Sequence, residues 1–149
     1  MSHARGRNNS FRDFPLQIKM KDYRGVTTDP KIWGPALWFS LHNGAAHAPL
    51  EIPENLRVVY WSFLQSLPFW LPCITCTKHA LEFIEKHADI KNSITRSREN
   101  LFSFTVDFHN YVNAKTGKPQ MSYEDAYNMY VNQANVSVFS TEWPDYNTY

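Results

Sequence analysis

Apolar side chains in this sequence recur three or four residues apart, and no stretch alternates with period two for long. A period near 3.6 lets a helix bury one face, whereas a half-buried strand needs a period of two. The pattern restricts the chain to helices packed on helices. The segment ENLRVVYWSFLQSL shows it most plainly, with Leu56, Val59, Tyr60, Phe63, Leu64 and Leu67 on one predicted stripe. Pro68 and Pro72 then stop that helix, because proline has no N–H to continue the ladder.

Four further helices are predicted. Asp29 is a good N-cap and Pro30 suits the first helical position. They open KIWGPALWFSLHNGAAHAP, where Ile32, Trp33, Ala36, Leu37 and Leu41 keep helical spacing. Gly34-Pro35 should sit in the first turns or bend this helix, and Pro49 and Pro53 close it. The next helix starts at the cysteines and carries Cys76, Ala80, Phe83, Ile84 and His87. Ser97 caps RENLFSFTVDFHNYVNAK, with Leu101, Phe104, Phe108, Tyr111 and Val112 along one side, and Gly117 and Pro119 stop it. Ser122 and Asp125 approximate a capping box for a last helix bearing Tyr123, Tyr127 and Tyr130. The expected architecture is all-α, a small helical bundle.

At 149 residues, one domain is expected, and a chain of this length buries about 70% of its unfolded surface without staples. Residues 1–28 read as a flexible N-terminal arm, 29–135 as the domain and 136–149 as a tail that holds Trp143, Tyr146 and Tyr149. Fifteen basic residues against fourteen acidic ones offer no electrostatic case for a nucleic-acid partner. No apolar run approaches the roughly 18 to 20 residues of a membrane span. MSHARGRNNSFRDF lacks the apolar core of a secretory signal. With only two cysteines, a cytosolic setting is the default.

Those two cysteines, Cys73 and Cys76 in FWLPCITCTKHALEFI, invite three readings. As half of a zinc site they would need His79 and His87 as partners, at an unfamiliar spacing. They could be two buried, inert thiols. Or they form a redox disulfide at a helix start, where unpaired N–H groups and the positive dipole end stabilise a thiolate. A single CxxC in an all-α chain would then need a cofactor to receive its electrons.

WGPALWFSLH (Trp33 to His42), LPCITC (Leu71 to Cys76) and LFSFTVDFHNYVNAKTGKP (Leu101 to Pro119) resemble, in order and spacing, the Erv/ALR family of FAD-dependent sulfhydryl oxidases. The resemblance spans about residues 32 to 131. The GPALW form looks most like members encoded by large cytoplasmic DNA viruses. It implies a four-helix bundle with a short fifth helix, dimeric, with FAD at the bundle mouth beside the CxxC. Gly34, Trp38 and His42 match flavin-contacting positions. Cys76 matches the flavin-proximal cysteine and Cys73 the outer one. His109, Asn110, Val112 and Asn113 match the adenine and ribose cluster, Lys115 and Lys118 the pyrophosphate neighbours, and Tyr130, or else Tyr127, an aromatic against the adenine. Pro35, Phe104 and His47 depart from the common family residues. The shuttle cysteine pair and the additional structural disulfide of many relatives are missing.

The activity this resemblance implies is oxidation of protein thiols. A substrate thiolate attacks Cys73, a second thiol resolves the mixed disulfide, and electrons leave through Cys76 to FAD and then O2, giving hydrogen peroxide. The helix N-terminus is expected to favour Cys76 as the leaving thiolate. Without a shuttle pair, Cys73 must meet its partner directly, and a small thioredoxin-like dithiol relay protein suits that role. A host cytoplasm or virus assembly site follows if the chain is viral, and the mitochondrial intermembrane space is the alternative. The rival functions are a non-enzymatic helical interaction module and a Cys/His zinc-binding module, the latter sensitive to chelation.

Overall fold

The computed structural model describes residues 28–134. The expected tail 136–149, with Trp143, Tyr146 and Tyr149, lies outside the described residues, as does the expected arm apart from Thr28. Within them run α1 (Pro30–Ala46), α2 (Glu54–Ser66), α3 (Ile74–Lys86), a single turn α4 (Lys91–Ile94), α5 (Arg98–Lys115) and α6 (Tyr123–Ala134). Four long helices, α1, α2, α3 and α5, form the expected bundle. The fifth, α6, packs on α1 and α5. No described helix is long and apolar enough to cross a membrane.

The caps sit where local chemistry puts them. Asp29 accepts the N–H of Lys31 at 2.9 Å, and Ser97 accepts that of Asn100 at 3.2 Å. The N–H of Asp125 donates to Ser122 Oγ at 3.1 Å while the Ser122 hydroxyl donates back to the Asp125 carboxylate at 2.7 Å. Each satisfies a helix-end group that would otherwise lack a partner. Pro35 sits within α1, whose helix continues through it to Ala46. A short 3-10 turn, Leu67–Trp70, follows α2 before the cysteines.

At the far end of α5, Lys118 N–H donates to Asn113 O at 2.9 Å and Gly117 N–H to Ala114 O at 3.5 Å. Gly117 has φ +68°. This is a Schellman turn, and its left-handed residue costs a side-chain-bearing amino acid about 1–2 kcal/mol. The turn reverses the chain and returns Lys118 toward the bundle.

The core is aromatic. Phe83 stacks on Phe108 at 5.0 Å, and Phe104 sits 5.2 Å from Phe83 and 6.2 Å from Trp61. The α2 stripe differs from its expected course. Leu64 and Leu67 are buried, but Val59 and Phe63 are more than half exposed, and Trp61 takes their place inside. The inward arc of α2 is rotated toward Trp61, because the ring of Phe104 on α5 receives the indole. On α1 the same correction applies to Ile32 and Ala36, which face outward while Leu41 and Ala45 turn in. The link from α1 to α2 is tied to the start of α5 by Ile52 N–H to Arg96 O (3.0 Å) and Arg98 N–H to Leu50 O (3.2 Å).

Candidate functional site: a disulfide at the mouth of an aromatic cleft

Cys73 and Cys76 are joined in a disulfide, with Cα atoms 5.2 Å apart. Cys73 is the N-cap of α3 in extended conformation, so the helix begins one residue later than the sequence implies. Its Sγ accepts the N–H of Cys76 at 3.3 Å. The N–H that was expected to favour Cys76 therefore goes to Cys73. Cys73 and Cys76 are both partly buried; Cys76 lies one turn before the buried Ala80, and Ile74 next to Cys73 is half exposed. Thr77 anchors this start by donating its hydroxyl to Pro68 O and Cys73 O, each at 3.1 Å.

The disulfide borders a cleft of about 810 Å³ between α1, α3, α5 and the turn after α5. Of the residues singled out in the sequence, Gly34, Trp38, Cys73, Cys76, His109, Val112, Asn113, Lys118 and Tyr130 line it. A larger cleft of about 970 Å³ lies between α6 and the start of α5, but it contains neither cysteine and neither His42 nor His109.

A stack of rings forms one wall. Trp38 lies 4.1 Å from His109 at an interplanar angle of 6° and meets the edge of Phe108 at 5.1 Å. Beneath it, His42 is almost fully buried. Its Nε2 is 2.9 Å from His109 Nδ1 and its Nδ1 is 3.0 Å from Thr105 Oγ1. Burial pushes the His42 imidazole down to about 4, with His109 adding to the shift. His109 is likewise pushed down to about 4 by burial and by the Lys118 ammonium.

Both rings are neutral at neutral pH, because desolvation penalises the charged form. Unfolded histidine titrates near 6.5, and the native pair near 4. The unfolded chain thus binds protons first, so stability is fully present above about pH 6.5 and declines as pH falls toward 4. Denaturant midpoints measured across that interval should drop before most carboxylates titrate. A flat profile from pH 6.5 to 5 would contradict this assignment.

Three predicted site residues point elsewhere. His42 supports the cleft wall from below instead of lining it. Asn110 binds the chain after the Schellman turn, donating to Met121 O at 2.8 Å and accepting from Met121 N–H at 2.9 Å. Asn113 does similar work, donating to Pro119 O at 3.0 Å, although it also reaches the cleft. Lys115 leans away, 3.6 Å from Glu82 on α3 and above the Tyr111 ring. The second zinc-ligand candidate, His87, donates from Nδ1 to Phe83 O at 2.7 Å and packs on the Phe83 ring.

Sequence reasoning gave Thr105 no role, took Phe108 only as part of a helix stripe, and considered His79 only as a zinc partner. His79 lines the cleft three residues beyond Cys76, a spacing that puts both on one helix face. Thr105 had only its position four residues before His109 to mark it. Tyr127 is directed to the other cleft, which leaves Tyr130 as the tyrosine at this site.

The Erv1 / Alr family model matches residues 35–134. The chain belongs to the Erv1/Alr family. A protein of Invertebrate iridescent virus 3 assigned by name as an FAD-linked sulfhydryl oxidase is 39% identical over 105 residues, covering 70% of each chain. One from Invertebrate iridescent virus 6, assigned the same way, is 38% identical over 94 residues, covering 61% of this chain and 85% of that protein. The crystal structure of the yeast Erv1 core superposes with a TM-score of 0.64 at 26% identity, over 77% of this chain and 95% of that one. The matched span of this Erv1/Alr chain contains the disulfide, the ring stack and the Schellman turn.

Proposed function

We propose that this chain is an FAD-dependent thiol oxidase that introduces disulfides into protein thiols. The observation that carries the reading is a disulfide at the N-terminus of α3, set at the edge of a cleft walled by stacked flat rings. The residues present fit the cofactor. The cleft volume falls within the roughly 300–1,000 Å³ range of sites for organic ligands. Trp38 and His109 offer a flat surface for stacking. A Cβ added to the buried Gly34 would meet no atom within 4 Å, so open space adjoins the backbone there. Lys118 supplies a cation suited to a pyrophosphate, and Asn110 and Asn113 hold the turn that presents it. Val112 and Tyr130 complete the apolar lining.

The dithiol chemistry belongs to the two cysteines. A substrate thiolate attacks Cys73 Sγ, the Cys73–Cys76 bond breaks, and Cys76 departs as a thiolate. A second substrate thiolate then attacks the substrate sulfur of the mixed disulfide, and Cys73 departs with that electron pair. The Cys76 N–H at Cys73 Sγ stabilises the charge left there. When bound, FAD supplies the two-electron acceptor that restores the disulfide and passes the pair to O2, which leaves as hydrogen peroxide.

A protein substrate is supported by the surface beside Cys73, where Trp70 is 81% and Ile74 50% exposed. A thioredoxin-like dithiol protein is the expected partner, because the chain has no second cysteine pair. The outward apolar side chains Ile32 and Phe39 on α1 and Val58, Val59 and Phe63 on α2 support a homodimer. The iridovirus relatives support a virus-encoded protein acting in the host cytoplasm or at the assembly site.

The test is the visible spectrum of the purified chain in air. A yellow protein whose flavin band bleaches with dithiothreitol and returns on aeration, with peroxide formed, is the expected result. A colourless protein that cannot be reconstituted with FAD would overturn the reading.

A further inference from the structure

The hydrogen positions along the buried chain behind the cleft follow from its inner end. Thr105 Oγ1 lies 2.8 Å from the carbonyl oxygen of Phe102. A carbonyl can only accept, so the hydroxyl proton lies between those two oxygens. Thr105 Oγ1 therefore meets His42 Nδ1, 3.0 Å away, with a lone pair. His42 Nδ1 must carry a proton. A neutral imidazole has one N–H, so His42 Nε2 is a bare acceptor. The proton in its 2.9 Å bond to His109 then comes from His109 Nδ1. Neutral His109 is left with Nε2 unprotonated, and among the described residues no hydrogen bond reaches that atom. His109 lines the cleft.

We propose that Thr105 fixes the protonation sense of this chain, so that His109 offers the cleft an acceptor and takes an N–H or O–H donor from the bound cofactor. This rests on the FAD reading, in which the donor is an amine or hydroxyl of the adenosine half and not a phosphate oxygen. Thr105 is a positioning residue, since two imidazoles separate it from the ligand. With the chain reversed, His42 and His109 would each carry the proton on Nε2. His109 would then present a donor, and two donors would face each other across the ligand contact. A hydrophobic residue at position 105 leaves the sense of the chain unspecified, because neither His42 tautomer then finds a partner at Nδ1.

Long-range ¹H–¹⁵N correlation spectra of the full chain, before and after cofactor removal, read the ring nitrogens directly. In the unaltered protein His42 and His109 should both be protonated at Nδ1 alone. Thr105→Val preserves side-chain shape but removes the hydroxyl, and it should shift both rings toward Nε2–H. Thr105→Ser keeps the hydroxyl and should retain the original pattern. The FAD dissociation constant should rise roughly tenfold in Thr105→Val and stay within about twofold in Thr105→Ser, as for one hydrogen bond with a partner left unpaired. His109 protonated at Nε2 in the unaltered protein, or an unchanged pattern in Thr105→Val, overturns the proposal while FAD binding stands. Failure of the unaltered protein to bind FAD removes the cofactor reading and the ligand half of this proposal together. The ring spectrum still decides the proton sense in that case.

Discussion

Replacing either cysteine by serine should abolish thiol oxidation, with kcat/KM falling on the order of 10³-fold or more, as when a covalent nucleophile is removed. Neither variant can form the disulfide that accepts the substrate's electrons. The loss should not reflect unfolding. The bond closes a loop of only four residues, which stabilises by about 2 kcal/mol in the chain-entropy account, and α3 retains its Thr77 anchors to Pro68 and Cys73. The two variants should differ in a second way. Cys73, left alone in Cys76→Ser, stands ahead of the helix beside the exposed Ile74. Cys76, left alone in Cys73→Ser, is partly buried like Cys73, but the helix-start N–H that stabilises a thiolate goes to Cys73 Sγ and not to it. Alkylation by iodoacetamide should therefore be faster for Cys73. Oxygen uptake with dithiothreitol checks the first expectation, and alkylation rates followed by mass spectrometry check the second. Retained oxidase activity in Cys76→Ser would remove the disulfide from the chemistry.

The second large effect is structural. Phe102 is completely buried. Its ring lies 6.1 Å from His42, 5.9 Å from Tyr123, 6.3 Å from Tyr127 and 6.2 Å from Tyr130. It joins α5 to α1 and to three tyrosines of α6. Phe102→Ala should cost about 3–5 kcal/mol, the transfer term plus a cavity that rings on α1 and α6 cannot collapse to fill. Native stability is only about 0.05–0.15 kcal/mol per residue, so this is a large share of the total. Phe63→Ala removes the same side chain from a face of α2 that is exposed in the single chain, and at protein concentrations low enough to keep the chain monomeric it should change stability by no more than about 0.5 kcal/mol. Urea denaturation of the two variants gives the comparison. Equal losses would mean that α2 buries Phe63, as its apolar spacing had suggested.

The contrast between those two phenylalanines marks the limit of what is legible along the chain. Asp29, Ser97, Ser122 with Asp125, and Gly117 define helix ends through groups within five residues of themselves, and each occurs where its type implies. The motif spacings likewise brought Trp38, Cys76 and His109 to one cleft, because residues on a helix face keep their order when the helix packs. Position 115 shows what spacing leaves open. A lysine at the end of α5 can reach either side of the helix, and Glu82 on α3 draws it away from the cleft. Asn110 satisfies its amide on the backbone of Met121, a partner eleven residues away that exists only once the chain has turned back. The one-turn helix at Lys91–Ile94 carries no periodic signal because it is too short to show one.

The amino-acid sequence by itself determined the all-α class, the helix ends, the disulfide-bearing segment and the family, since these depend on local hydrogen bonding and on the order of residues along each helix. Only the tertiary structure decided which arc of α2 is buried, to which side of α5 Lys115 turns, and how Thr105, His42 and His109 share their protons. Those outcomes depend on distances between helices, and a side chain's partner there is chosen by the surface that packs against it.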